Sequence, residues 1–210
     1  MTSPPAKPPA RAFRIAVLIS GGGTTLANLI DRIADGRLPN VTIAGVVSSR
    51  PDVRGVEIAR AARLPVEVVR RRDFPTDTAF SDALAATVDR FNVDLVVLGG
   101  FLCLWLLPPR YEGRVINIHP ALLPKYGGKG YFGHRVHEAV LAAGERESGC
   151  TVHVATNEYD RGPILAQTRV LVLPGDTPDT LAERVMAAER ELYPAVIARL
   201  AAASSVSRPV

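Results

Sequence analysis

Two hydrophobic rhythms alternate along the first half of the chain. Residues 14–19, 41–47, 66–69 and 93–98 are short, continuous apolar runs, the pattern of strands covered on both faces of a sheet. Between them, 26–34 places Leu26, Leu29, Ile30 and Ile33 on one helical face, 53–62 reads as a second helix, and Thr76 can cap a third that runs to residue 91. This βαβαβ alternation predicts an open parallel sheet with right-handed crossovers and helices on both faces. Residues 114–119 supply another apolar strand. Pro120 ends it, because proline lacks a ladder donor and restricts the residue before it. Beyond this point the order changes to a Gly-rich loop at Gly127-Gly128-Lys129-Gly130, a helix near 137–143, strands at 150–155 and 164–171, and a last helix over 177–200 capped by Asp176 or Thr177. No internal repeat is visible.

With 210 residues, 47% of them hydrophobic and 22% charged, the chain can bury the core of one domain. That domain is placed at 13–200, between a Pro-rich leader over 1–12 and a short, flexible tail of mostly small residues over 201–210. The net charge of +4 is scattered and aromatics make up 6%, so the basic and aromatic stripe of a nucleic-acid binder is missing. Arg70-Arg71-Arg72 reads as a solvated loop, although a mildly basic surface favours anionic small molecules. Cys103 and Cys150 lie in apolar segments without metal-ligand spacing, which fits a reduced cytoplasm and no metal. The leader has no signal-peptide core, and the longest apolar stretch, 95–109, is too interrupted by Gly and Pro to span a bilayer.

Polar residues at the ends of apolar runs mark the candidate chemistry. Asn117 and His119, at i and i+2 of a strand, project from one face, and ligands of open α/β sheets bind beyond the carboxyl ends of strands. Ser20-Gly21-Gly22-Gly23-Thr24-Thr25 joins a strand to a helix and offers backbone N–H groups and the hydroxyls of Ser20, Thr24 and Thr25 as a seat for phosphate. It is neither a Walker loop nor a dinucleotide fingerprint, since Leu26 takes the place of the last glycine. Taken singly, His119 can also be read as a satisfied core histidine, Asp160 as a turn residue before Gly162-Pro163, and the glycines as a tight turn without ligand.

Together, three segments in order resemble the formyltetrahydrofolate-dependent formyltransferases: the run from Leu18 to Leu26, Asn117-Ile118-His119-Pro120-Ala121-Leu122-Leu123-Pro124-Lys125-Tyr126, and Gly149-Cys150-Thr151-Val152-His153 continuing to Tyr159-Asp160-Arg161-Gly162-Pro163. The resemblance spans about Phe13 to Leu200. It implies a Rossmann-like fold with an antiparallel addition in its C-terminal part. Its nearest branch transfers a formyl group from 10-formyltetrahydrofolate, as co-substrate, to the amine of glycinamide ribonucleotide in purine synthesis. Asn117, His119 and Asp160 would be catalytic. Asn117 and a protonated His119 can stabilise the oxyanion, His119 can protonate the leaving nitrogen, and Asp160 can raise the imidazole pKa and accept the amine's proton. Gly22, Gly23, Thr24 and Thr25 would hold the ribonucleotide phosphate, with Asn117 and Glu189 also on that substrate. Leu102, Cys103, Leu104, Trp105, Thr156 and Asp160 would meet the folate.

The chain departs from the family at Cys103, where a basic residue is usual, at Asn157, where an acid is frequent, and in a long loop over 127–133. Trp105 alone can also be read as core, Glu189 as a solvent-facing helix residue, and His137 as a surface residue at a helix start. His134 and His153 read as structural. Within the resemblance, a formyltetrahydrofolate hydrolase would carry an N-terminal regulatory domain and a methionyl-tRNA formyltransferase a basic C-terminal one. The absence of both favours small-molecule substrates, with no nucleic acid or membrane partner, in a monomer or homodimer. A non-catalytic phosphosugar-binding module is the remaining alternative.

Overall fold

The computed structural model describes residues 11–206; the rest of the expected leader and the last four residues of the expected tail lie outside them. The elements are β1 (Phe13–Ile19), α1 (Thr24–Ala34), β2 (Val41–Ser48), α2 (Arg54–Ala61), β3 (Val66–Val68), α3 (Asp77–Asp89), β4 (Leu95–Leu98), β5 (Val115–His119), α4 (His134–Ala142), β6 (Glu147–Val154), β7 (Ile164–Leu171) and α5 (Pro178–Val206). One seven-stranded sheet has the order β3-β2-β1-β4-β5-β6-β7. Its pairs are parallel as far as β5, and β6 and β7 add antiparallel strands, as the resemblance implies.

The chain leaves β1 for β2 on one side and returns to β4 on the other, so the sheet order reverses between β1 and β4. At such a switch point the carboxyl ends diverge and open a crevice. Here the crevice receives the glycine turn after β1, residues 99–102 after β4, and the end of β5. The fully buried Ile15, Val17 and Ile19 of β1 pack toward α1, α2 and α5, whereas Ala16 and Leu18 face α3 and the segment holding Trp105 and Tyr111. Helices therefore cover both faces. A third cluster joins Val140 of α4 to Cys150 of β6 and Leu181 and Val185 of α5. The Tyr193 hydroxyl crosses from α5 to the Leu98 and Ile116 carbonyls, at 3.1 and 2.9 Å, and so ties α5 to the ends of the strands that build the crevice.

Three boundaries differ from the sequence expectation. Helix α4 begins at His134, so His137 lies a turn inside it and is buried. Strand β6 begins at Glu147, whose side chain meets Arg169 across the pair with β7. Helix α5 continues to Val206, past the expected start of the flexible tail. Leu200 and Ala201 pack on the core, and the alanines that follow favour helix. Thr177 is the cap of that helix: its hydroxyl accepts from the Thr180 N–H while the Thr180 hydroxyl accepts from the Thr177 N–H. No helix among the described residues is long and apolar enough to cross a membrane.

Candidate active site

The antiparallel pairing of β5 with β6 sets Asn117 opposite His153 and His119 opposite Thr151. Polar residues two apart on each strand thus meet on one face at the carboxyl end of β5. Thr151 donates to the Ala121 carbonyl and accepts from the Leu123 N–H and the Gln167 amide, which fixes the chain where it leaves His119. A register irregularity between Val152 and His153 in the β6–β7 pair twists β6 locally at the point where His153 meets the site.

Asp160 completes the group from the loop after β6. Its φ of 56° is left-handed, a conformation that Asp tolerates better than most residues. One carboxylate oxygen accepts from the Gly128 N–H at 2.9 Å and lies 3.5 Å from His119 Nδ1. The other lies 3.4 Å from both His153 Nε2 and the Asn117 amide nitrogen. His119 Nε2 donates to the Tyr126 carbonyl at 2.7 Å, because a carbonyl can only accept; Nδ1 is left to face Asp160. By the same rule His153 Nδ1 donates to the Val154 carbonyl, and Nε2 accepts from the Asn117 amide at 3.2 Å. One Asn117 amide hydrogen is therefore held by His153. The other reaches Asp160 only at 3.4 Å, the long limit of a hydrogen bond, and so is weakly committed there.

Burial dominates the electrostatics. It pushes the His119 imidazole below its ordinary range, outweighing the Asp160 carboxylate that raises it, so the elevated imidazole pKa expected from the sequence does not arise. Burial would push Asp160 up, but the His153 and His119 rings, when protonated, and the Gly128 N–H it accepts from hold its carboxyl below the usual range. The resting pair is a carboxylate beside a neutral imidazole whose Nδ1 lone pair faces it.

These groups sit in the wall of a cavity of about 620 Å³ that also takes in Gly22, Gly23, Thr24 and Thr25, Leu102, the 128–134 loop, His137 and Glu189. Gly23 is the N-cap of α1 with φ 71° and no side-chain cap, so the first-turn N–H groups of α1 are open to a ligand. A Cβ there would come within 2.5 Å of Gly55 Cα, so Gly23 is required by packing as well as by the turn. Ser20 does not join this seat: its hydroxyl is buried, bonded to Ser49 and to the Leu102 N–H. Burial raises the Glu189 carboxyl to about 7. His137 is pushed down to about 4, first by burial, and its Nδ1 has no partner.

A second cavity of about 60 Å³ adjoins the first through Phe101, Asn117, Tyr159 and Asp160 and is walled by Cys103, Leu104, Trp105 and Thr156. Trp105 offers it little beyond an edge. The indole is 4% exposed, donates to the Ser81 carbonyl and packs on Tyr111. Burial raises the Cys103 thiol, and Thr156 is engaged with Glu158 across a turn. Asn157 accepts from the Leu107 N–H at 2.7 Å and so braces this wall. Among the described residues no cluster of three His, Cys, Asp or Glu side chains is placed to hold a metal ion.

Residues 13–197 match the model of the formyl transferase family. The chain belongs to that family. It is 40% identical over 190 residues to a chloroplastic phosphoribosylglycinamide formyltransferase of Arabidopsis thaliana, covering 89% of this chain and 65% of that one. It is 37% identical to a trifunctional purine biosynthetic protein of Drosophila melanogaster, covering 95% of this chain and 15% of the relative. The chain thus spans less than two thirds of the length of both. A crystal structure of glycinamide ribonucleotide transformylase 1 from Symbiobacterium toebii superposes with a TM-score of 0.85 at 38% identity, over 93% of this chain and 90% of that one.

In this formyl transferase the three catalytic candidates converge, and Glu189 faces the cavity. His153, read as structural, stands among them. Its signal was the polar pair Thr151 and His153 in β6, which repeats the spacing of Asn117 and His119.

Proposed function

We propose that this chain transfers the formyl group of 10-formyltetrahydrofolate to the amine of glycinamide ribonucleotide. The observation that carries this reading is the meeting of two cavities at Asn117 and Asp160, one reaching the open N-terminus of α1 and the other an apolar wall. The ribonucleotide phosphate sits on the backbone of Gly22 to Thr25, and Glu189 accepts from its ribose hydroxyls. The folate enters between Leu104 and the 156–160 turn. At about 60 Å³ that space is far below the 300 Å³ or more of an ordinary ligand pocket, so the turn moves outward to admit the ring.

The amine nitrogen attacks the formyl carbon as the weakly committed Asn117 amide hydrogen exchanges Asp160 for the developing oxyanion. The proton lost by the amine passes to the His119–Asp160 pair, directly or through water. Protonation at Nδ1 leaves His119 with donors matched to both its partners, the Tyr126 carbonyl and Asp160. The bond from the formyl carbon to the folate nitrogen then breaks, and that nitrogen takes the same proton.

The deciding assay follows tetrahydrofolate formation spectroscopically with and without glycinamide ribonucleotide. Turnover that needs the ribonucleotide supports the reading. Turnover without it indicates a hydrolase, and none from folded protein returns the chain to a phosphosugar-binding role.

A further inference from the structure

A connected set of bonds lies behind His119, outside the groups that face the substrates. The Tyr126 carbonyl accepts from His119 Nε2, and Tyr126 itself has φ 57°, a conformation that an aromatic residue holds only where its surroundings impose it. Its hydroxyl donates to Glu145 Oε1 at 2.9 Å, and the adjacent Lys125 ammonium donates to the same oxygen at 2.7 Å. Its ring meets Tyr131 edge to face. Two residues further on, the Gly128 N–H donates to Asp160. One short loop therefore holds both members of the proton-carrying pair, and its outer end is tied to Glu145, just past the end of α4. Glu145 lies outside the substrate cavities. It lines a separate hollow of about 290 Å³ with Lys125, Tyr126, Ser148 and Arg169.

We infer that Glu145, acting through Tyr126, is a positioning residue that fixes the orientation and tautomer of the His119 imidazole for formyl transfer. The inference deepens the function proposed above, and its kinetic readout rests on that reading. The mechanism needs Nδ1 empty and facing Asp160 at the start, and the Tyr126 carbonyl secures this by occupying the Nε2 hydrogen. Once the tyrosine hydroxyl is cut from Glu145, Tyr126 relaxes, the carbonyl turns away, and the proton can settle on Nδ1 against Asp160. The other groups that act on the ring are Asp160, His153 and His137, whereas the side-chain partners of Glu145 are Lys125 and Tyr126.

The test uses Tyr126→Phe, Glu145→Ala and Glu145→Gln in the full chain, with 15N NMR of the histidine rings in the absence of substrate and the His119 signals assigned by comparison with His119→Gln. Wild type should show the Nε2–H tautomer. Tyr126→Phe and Glu145→Ala should show a tautomer mixture and a lower titration midpoint, and Glu145→Gln, which can still accept the tyrosine hydroxyl, should stay near wild type. In turnover the first two should lower kcat about tenfold with both KM values within about twofold, the scale of a small misplacement of a catalytic group. Their double variant should fall no further, because both cut one link. An unmoved His119 tautomer and midpoint in Tyr126→Phe overturns the inference, as do kcat losses that multiply in the double variant. Should wild type fail to turn over the two substrates, the functional reading falls while the NMR arm still decides the positioning role.

Discussion

At the scale of single residues, the proposed mechanism assigns proton transfer to His119, and burial lifts the Glu189 carboxyl to about 7. His119→Ala should lower kcat at least about a hundredfold, the usual cost of losing a general acid or base, with the fold retained as judged by circular dichroism. Turnover near wild type would remove His119 from its role. Glu189 carries a second prediction, about pH. Its folded pKa of about 7 lies above the ordinary 4.5 because burial penalises the charged form. Stability contributed by such a group is present below its unfolded pKa and is lost as pH rises through the folded value. Wild type should therefore lose thermal stability between about pH 4.5 and 7 more steeply than Glu189→Gln does. Parallel Tm profiles for the two proteins would show that the carboxyl is not strained by burial. The same variant should weaken ribonucleotide binding most above pH 7, where wild-type Glu189 is ionised.

The elements deliver these residues through their ends, and the ends are where substitutions separate folding from binding. Gly23 and Gly22 are neighbours in one turn, yet a side chain at Gly23 strikes the backbone of Gly55, whereas nothing lies within 4 Å of a Cβ at Gly22. Gly23→Val should therefore fail to fold or lose much of its stability, and Gly22→Val should fold and lose ribonucleotide affinity by crowding the phosphate seat. Calorimetric titration of the folded Gly22→Val protein decides this, with unchanged affinity placing the phosphate elsewhere. At the far side of the site, α5 carries Glu189 and Tyr193 and begins with the reciprocal bonds of Thr177 and Thr180. Thr177→Ala should cost about 1 kcal/mol in urea denaturation, the typical value of a lost N-cap. Strands and caps of this kind are legible in sequence because local pattern determines them. Continuous apolar runs mark β1, β2 and β4, and a hydroxyl ahead of a periodic segment marks α3 and α5. The start of α4 was misplaced because His134 and Arg135 are exposed and carry no apolar signal, while the residue that anchors the helix, Val136, follows them.

On the scale of the whole molecule, the site joins parts far apart in the chain: the turn after β1, the end of β5, the loop after β6 and the middle of α5. Asn117, His119 and Asp160 could be named as candidates because the family resemblance spans those segments, and the structure brings the three together. The partnership of His153 with Asn117 was not, since it depends on an antiparallel register across 36 residues that no local pattern states. Burial of His119 was equally hidden, and it reverses the direction in which a neighbouring carboxylate alone would move the imidazole. The division into two cavities leads to a last prediction. The chain has one tryptophan, Trp105, and it sits in the wall of the smaller cavity and not of the larger. A folate analogue that opens this space must displace the 156–160 turn next to the indole and change its environment. Ribonucleotide seated on α1, as proposed, would leave that wall untouched. Titration with a non-reactive folate analogue should therefore shift or quench Trp105 emission with a saturating dependence, and glycinamide ribonucleotide alone should leave the spectrum within a few per cent. Equal responses to both ligands would mean that they share one compartment or that closure spreads across the sheet. A silent Trp105 with folate bound by calorimetry would place the pterin in the larger cavity, beside Leu102 and the 128–134 loop.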